Sequence, residues 1–293
     1  MDVTEAMRDI CRDEFFSYHI YSMLARSPLI NKNARNILRK AADDEFGHYM
    51  FWKRYVGECA SGVSIFKAVL FMAIFHLFGL TITLKYVESK EADAISVYKY
   101  LSEARPDIRD EIEKIREEEE KHEADFAAGI DEGRVKYIGS ITLGISDALI
   151  ELTGIYTGSL GAFRDTLSAG LTGVLAGIAA SISMGVASYS QAKHEGRLNP
   201  RLSALYTFIS YLSVVSLLAL PYFLAGSLIV AFSTMVVTAV LVVAYISFYA
   251  AVLHGRSYLR ELIETSLLIF GVSSLLYILG SIFGSLLGVK QLE

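Results

Sequence analysis

Downstream of residue 137, apolar residues recur in five runs of bilayer-spanning length, at roughly 138–163, 166–190, 205–225, 227–253 and 263–289. A helix needs about 20 such residues to cross a hydrocarbon core, and each run supplies them. Within lipid every backbone polar group must be bonded inside its own helix or in a closed barrel, so consecutive runs of this length predict a helical membrane domain. The joints between them are short and polar: Arg164-Asp165, then residues 191–201 with Pro200, a tight turn at Ala225-Gly226, and residues 254–261.

The rest of the chain is of another character. Residues 1–137 carry 25 acidic and 20 basic side chains, whereas 138–293 carry 7 of each. Two domains are therefore expected, 1–137 and 138–293. With the first half in the cytoplasm, joints on its side hold Lys193, Arg197, Arg201, Arg256 and Arg260, and the opposite side holds Arg164 and Lys290. That asymmetry follows the positive-inside rule, and an odd number of spans places the C-terminus outside. Acids outnumber bases, so no basic stripe suggests nucleic acid. Residues 1–24 lack the basic segment, short apolar core and cleavage site of a signal peptide. Cys11 and Cys59 are too few for a four-thiolate site and read as reduced, partly buried thiols of a reducing compartment.

The first half reads as helices throughout. One ends before Pro28; a second is capped by Asn31 or Asn33 and reaches about residue 56; another begins near Pro106 and runs to about 132. Between them, residues 63–84 are almost continuously apolar, interrupted by Lys67 and His76, and the same helix is expected to continue through the charged residues 85–99. Such a stretch reads either as a crossover segment lying on the membrane surface or as a sixth span. The crossover is preferred, because a sixth span would divide the site described next between two sides of the bilayer.

That site rests on spacing. Four helices with one long connection between the second and third form a crossover bundle of ferritin type, in which a di-iron centre takes a Glu from each of two helices and Glu-x-x-His from each of the others. Residues three apart share a helix face, so one carboxylate and one imidazole reach the same metal pair. Here the second helix holds Glu45-Phe46-Gly47-His48 and the fourth Glu119-Glu120-Lys121-His122. The first supplies Glu14 and the third Glu88 and Glu91. Oxygen and imidazole without thiolate suit iron or manganese. Alone, the run EEEEKHE at 117–123 is an ordinary solvated face, and Glu118 with His122 forms a routine i,i+4 pair. Only Glu119 repeats the spacing of the Glu45 pair, which predicts that Glu119 and His122 point inward and that Glu117, Glu118, Glu120 and Glu123 stay in water.

With these motifs, residues 1–137 resemble the rubrerythrin-like branch of the ferritin superfamily, and GLTITLKYVESKEADA resembles helix 3 of its membrane-fused members. The resemblance implies a di-iron site with ligands Glu14, Glu45, His48, Glu88, Glu91, Glu119 and His122. The rubredoxin module of many rubrerythrins is missing.

Within the first span, Asp147 and Glu151 lie one turn apart, and ionisable groups at that depth mark ion or proton paths. Met184 in the small-residue second span reads as packing or as a soft ligand beside that path, and Tyr189 as an interfacial anchor. LGISDALIELTG and SISMGVASYSQAKHEG resemble the first two spans of the vacuolar iron transporter family, fused forms of which carry a rubrerythrin-like domain. What this resemblance implies is proton-coupled export of Fe²⁺, and of Mn²⁺ as a further substrate, through a homodimer in the cell membrane, with Asp147, Glu151, Met184, Ser188 and Tyr189 along the path. Two departures stand out: Ser188 occupies the position where many relatives have Glu, and only residues 191–201 remain where some carry a metal-collecting helical insert. The expected fold is all-α, a ferritin-like four-helix bundle followed by five transmembrane helices. No catalytic residue is assigned; the competing function is a membrane-anchored di-iron oxidase or peroxidase, in which Tyr18 and Tyr21 serve redox chemistry or simply the core.

Overall fold

The computed structural model describes residues 2–60, 62–130, 132–162 and 165–286, and their side chains except at 89–95, 123, 159–162, 276, 277, 279–281 and 283–286. Among the described residues there are helices and no strand. The chain divides into two compact units, Met1–Glu132 and Gly133–Glu293.

In the first unit the helices are α1 (Val3–Ala25), α2 (Lys32–Val56), α3 (Ile65–Phe78), α4 (Leu80–Ala104) and α5 (Arg109–Gly129), the last preceded by a 3₁₀ turn at Pro106–Ile108. Asn31 caps α2 by accepting from the Ala34 N–H at 2.9 Å. The long helices close a ring, α1 packing on α2 and α4, and α5 packing on both of those as well. Their interior holds two apolar clusters. One contains Met7, Ile10, Tyr49, Trp52, Tyr98, Leu101, Ile112 and Ile115; the other contains Ile20, Leu24, Leu38, Ala42, Leu84, Val87, Phe126 and Ile130. The order in which each helix meets the clusters sets its direction: α1 and α5 run one way, α2 and α4 the other. Parallel neighbours in sequence cannot be joined by a tight turn, which is why the chain spends residues 57–79 on a crossover containing α3.

Two expectations are corrected here. The apolar stretch and the charged segment after it are two helices, not one. They break at Gly79, whose φ of 90° is open to glycine alone at low cost. The new N-terminus is capped from afar, the Glu132 carboxylate accepting from the N–H groups of Leu80 (3.0 Å) and Thr81 (2.9 Å). Likewise, Cys11 and Cys59 are joined in a disulfide, with Cα atoms 6.1 Å apart. The segment after α2 folds back onto α1, where Arg12 donates to the Cys59 carbonyl at 3.1 Å. Spacing could not reveal this, since 48 residues separate the two thiols.

The second unit contains the short α6 (Gly133–Lys136) and then α7 (Ile138–Ala162), α8 (Thr166–Glu195), α9 (Pro200–Leu224), α10 (Leu228–His254) and α11 (Tyr258–Leu286). Among the described residues, four helical segments are long and apolar enough to cross a membrane: Ile138–Gly158, α8, α9 and α10. The fifth expected span falls on α11, several of whose side chains lie outside the described residues. The small residues of α8 let α9 approach closely: a Cβ on Gly177 would stand 2.6 Å from Val215. A core of Leu149, Leu152, Tyr156, Tyr211, Leu218 and Tyr222 lies among α7, α9 and their neighbours.

Candidate metal centre

Between the two apolar clusters of the first unit lies a layer of carboxylates and imidazoles. Glu14 on α1, Glu45 and His48 on α2 and Glu119 on α5 each offer one ligand atom, and these atoms all lie within 4.8 Å of one another. Glu14, Glu45 and His48 are almost wholly buried. Nδ1 of His48 is 3.0 Å from Glu119 Oε1 and 3.3 Å from Glu14 Oε2. His122 adjoins the group through Nδ1, 3.3 Å from Glu45 Oε1 and 3.8 Å from Glu119 Oε2. Glu88 is half-buried on α4 and stands outside the converging four; the side chain of Glu91 lies outside the described residues.

The outer nitrogens are held as well. His48 Nε2 donates to Glu118 Oε2 at 2.9 Å, and His122 Nε2 donates to Asp44 Oδ2 at 3.0 Å. Each imidazole is thus gripped by the acid that immediately precedes the ligand-type Glu of the opposite helix. This corrects the expectation that Glu118 is left to water. Donation from Nε2 leaves Nδ1 facing the carboxylates, the orientation that a metal-ligating histidine takes. Sequence reasoning passed over both acids, although a signal was present: DEFGH at 44–48 and EEEKH at 118–122 are the same acid-Glu-x-x-His word.

Tyr98 on α4 was also missed. It is buried, and its hydroxyl donates to Glu14 Oε1 at 2.5 Å. Burial, reinforced by the charges of Glu14 and Glu119, holds this phenol well above the usual tyrosine range. Of the tyrosines considered from sequence, Tyr21 lies in the apolar core, and Tyr18 meets the His19 ring edge-on and the Phe46 ring at a tilt.

Burial disfavours a charged His48, but Glu119 and Glu14 outweigh it and push the imidazole up to about 11. His122 moves the same way: burial opposes protonation, and Glu119 with Asp44 overcome it. Without metal, a proton on His48, with His122 shifted the same way, therefore offsets the charge of the buried carboxylates. A divalent cation suits the same place. Nδ1 of both histidines and Oε1 of Glu119 are buried, close together, and lack hydrogen-bond geometry toward any partner. Oxygen and imidazole donors of this kind fit iron or manganese.

In the second unit, Asp147 and Glu151 are half-buried one turn apart on α7, and the Tyr211 hydroxyl donates to Glu151. Ser188 lies in a buried hydroxyl cluster, 2.9 Å from both Ser203 and Thr207, with Ser140 a further 2.6 Å beyond Ser203. Met184 packs against the apolar core, and Tyr189 is exposed beside Arg201 and Phe208. The hydroxyl cluster ties α7, α8 and α9 together without a charge, which a span accommodates at far lower cost than a carboxylate. No protein-family model, curated protein or solved structure matches the chain.

Proposed function

We propose that the protein exports Fe²⁺, and Mn²⁺ as a further substrate, from the cytoplasm across the cell membrane, driven by a proton counter-flow that Asp147 and Glu151 are suited to carry. In this reading the first unit is a ferritin-like bundle that captures or senses metal in the cytoplasm, and the second is a five-helix transmembrane domain, working as a homodimer with its C-terminus outside. One observation carries the proposal: Glu14, Glu45, His48 and Glu119, drawn from three helices, place ligand atoms within 4.8 Å of one another in the same chain as four apolar helices of membrane-crossing length.

The roles follow from donor chemistry. Glu14, Glu45, His48 and Glu119, with His122 beside them, would hold one or two iron ions, and iron bound there supplies a Lewis-acidic, redox-capable centre. Glu118 and Asp44 keep the imidazoles turned inward. In the spans, two carboxylates one turn apart exchange protons for a divalent ion, with the Tyr211 hydroxyl satisfying Glu151 between events.

Two measurements test this. Purified protein should contain iron or manganese that the Glu45→Ala/Glu119→Ala variant loses. Proteoliposomes holding an Fe²⁺-sensitive dye should show flux that Asp147→Ala abolishes, and undiminished flux would refute the path. A second reading, a membrane-anchored di-iron oxidase or peroxidase, draws on the buried Tyr98 phenol against Glu14. It requires that iron-loaded protein consume O₂ or H₂O₂ and that Tyr98→Phe slow the consumption.

A further inference from the structure

Helix α3 has one face too many. Phe71, Ile74 and Phe75 are buried on the bundle, where Phe71 meets the Phe16 ring edge-on at 5.2 Å. The opposite face is apolar too and faces outward: Phe66 is 83% exposed, Ile65 71%, Val69 61%, Leu77 59% and Leu70 52%. Residues 66, 69, 70, 73 and 77 follow the i, i+3, i+4, i+7, i+11 spacing of a single stripe, with Ala73 completing it. A water-facing helix does not keep such a stripe without something to cover it.

Charge and connectivity name the cover. Between Glu58 and Glu88 there is no acidic residue, only Lys67, Lys85 and His76, in a unit that carries 25 acids against 18 bases in all over residues 1–132. An acidic body approaches an anionic surface most readily with this stretch in front. The C-terminal end of α3 is also tied down. Gly79 packs against the Glu132 carboxylate that caps α4, and Glu132 precedes the first candidate span by six residues. Six residues reach roughly 20 Å at full extension. The end of α3 therefore stays within about that distance of the chain's entry into the hydrocarbon, and a helix of 14 residues spans about 21 Å in the plane.

We propose that α3 is an in-plane membrane anchor whose Phe66, Val69, Leu70 and Leu77 enter the boundary between headgroups and acyl chains of an anionic leaflet, fixing the orientation of the bundle on the bilayer. The inference rests on the membrane reading of the four spans and is independent of which metal the bundle holds. A second copy of the chain is the rival occupant, but it would have to bring its own acid-free face against Lys67 and Lys85.

Nitroxide labels on the full chain in nanodiscs containing phosphatidylglycerol test this, since the native cysteines are tied in the disulfide. Labels at Phe66→Cys and Leu70→Cys should show an oxygen-to-nickel-chelate accessibility ratio severalfold above that at Arg39→Cys, an exposed position on α2, approaching the ratio at Leu241→Cys in α10. A water-like ratio at both α3 positions, equal to that at Arg39→Cys, overturns the proposal. Protection from both reagents means that protein covers the face, and also overturns it. If the Leu241→Cys label is itself water-like, the membrane reading of the spans fails and the anchor falls with it, a result distinct from failure at α3 alone.

Discussion

Replacing Glu118 by alanine should weaken metal binding in the bundle, although from sequence this residue belongs to an ordinary wet face. Its Oε2 accepts from His48 Nε2 at 2.9 Å. A hydrogen bond to a charged group contributes about 1.5–3 kcal/mol when well shielded. The Glu118 side chain is 36% exposed and also lies 3.7 Å from Lys114, so solvent and a competing cation weaken it. Discounting by about half leaves about 0.75–1.5 kcal/mol, a loss of roughly 3.5- to 12-fold in affinity. That sits near the lower edge of the roughly 10- to 100-fold commonly lost when an outer partner of a metal-ligating histidine is removed. Manganese is the convenient probe because it does not oxidise during competition with a chelator. The control is Glu120→Ala, two positions away, whose carboxylate bonds Arg116 at 2.5 Å on the outer face. It should bind as the native protein does. Asp44→Ala should resemble Glu118→Ala through His122, and the two losses should add approximately because each acid serves a different imidazole. Equal affinities for the Glu118 and Glu120 variants would refute the outer-partner role.

Other outcomes follow from the same geometry. In metal-free protein, the raised His48 imidazole contributes stability that is complete below its ordinary value of 6.5 and is lost as pH rises through about 11. Metal must displace that proton, and His122 is shifted in the same direction, so affinity should climb as pH rises toward about 11, with proton release on binding; a flat profile would contradict this. Glu132→Ala strips the cap from α4 and should cost about 1–2 kcal/mol, with faster amide exchange at Leu80 and Thr81; unchanged exchange would count against the cap. The Cys11→Ser/Cys59→Ser variant should unfold more easily in denaturant by about 4 kcal/mol, the chain-entropy value for a loop of 48 residues. A difference under about 1 kcal/mol would show that the unfolded chain gains little freedom when the link is absent.

Helicity and the candidate spans were legible because both are written within single segments: a run of apolar residues longer than a bilayer is thick needs no partner to be recognised. The inward faces of α2 and α5 were legible for a similar reason, since Glu45 with His48 and Glu119 with His122 share a face through local periodicity alone. Nothing within one helix tells which residue of another will stand opposite it. Glu118 and Asp44 became partners of the histidines only because α2 and α5 run in opposite directions with their acid-Glu-x-x-His words at the same level. Tyr98 reached Glu14 across 84 residues for the same reason.

Turns and covalent links divided in the same way. Asn31 announced its cap from three residues away, whereas the cap of α4 came from Glu132, 52 residues from Leu80, and let the chain break at Gly79 where apolar continuity suggested one helix. The cysteines read as separate thiols until the crossover brought Cys59 back onto α1. By itself, then, the sequence determined the helical character, the apolar segments and the ligand-type residues that share a face, because each depends on spacing within one element. Only the tertiary structure decided which carboxylates meet which imidazoles, where the crossover breaks, how the cysteines pair and which face of α3 is left uncovered, because these depend on helix direction and level, fixed by packing between residues distant in the chain.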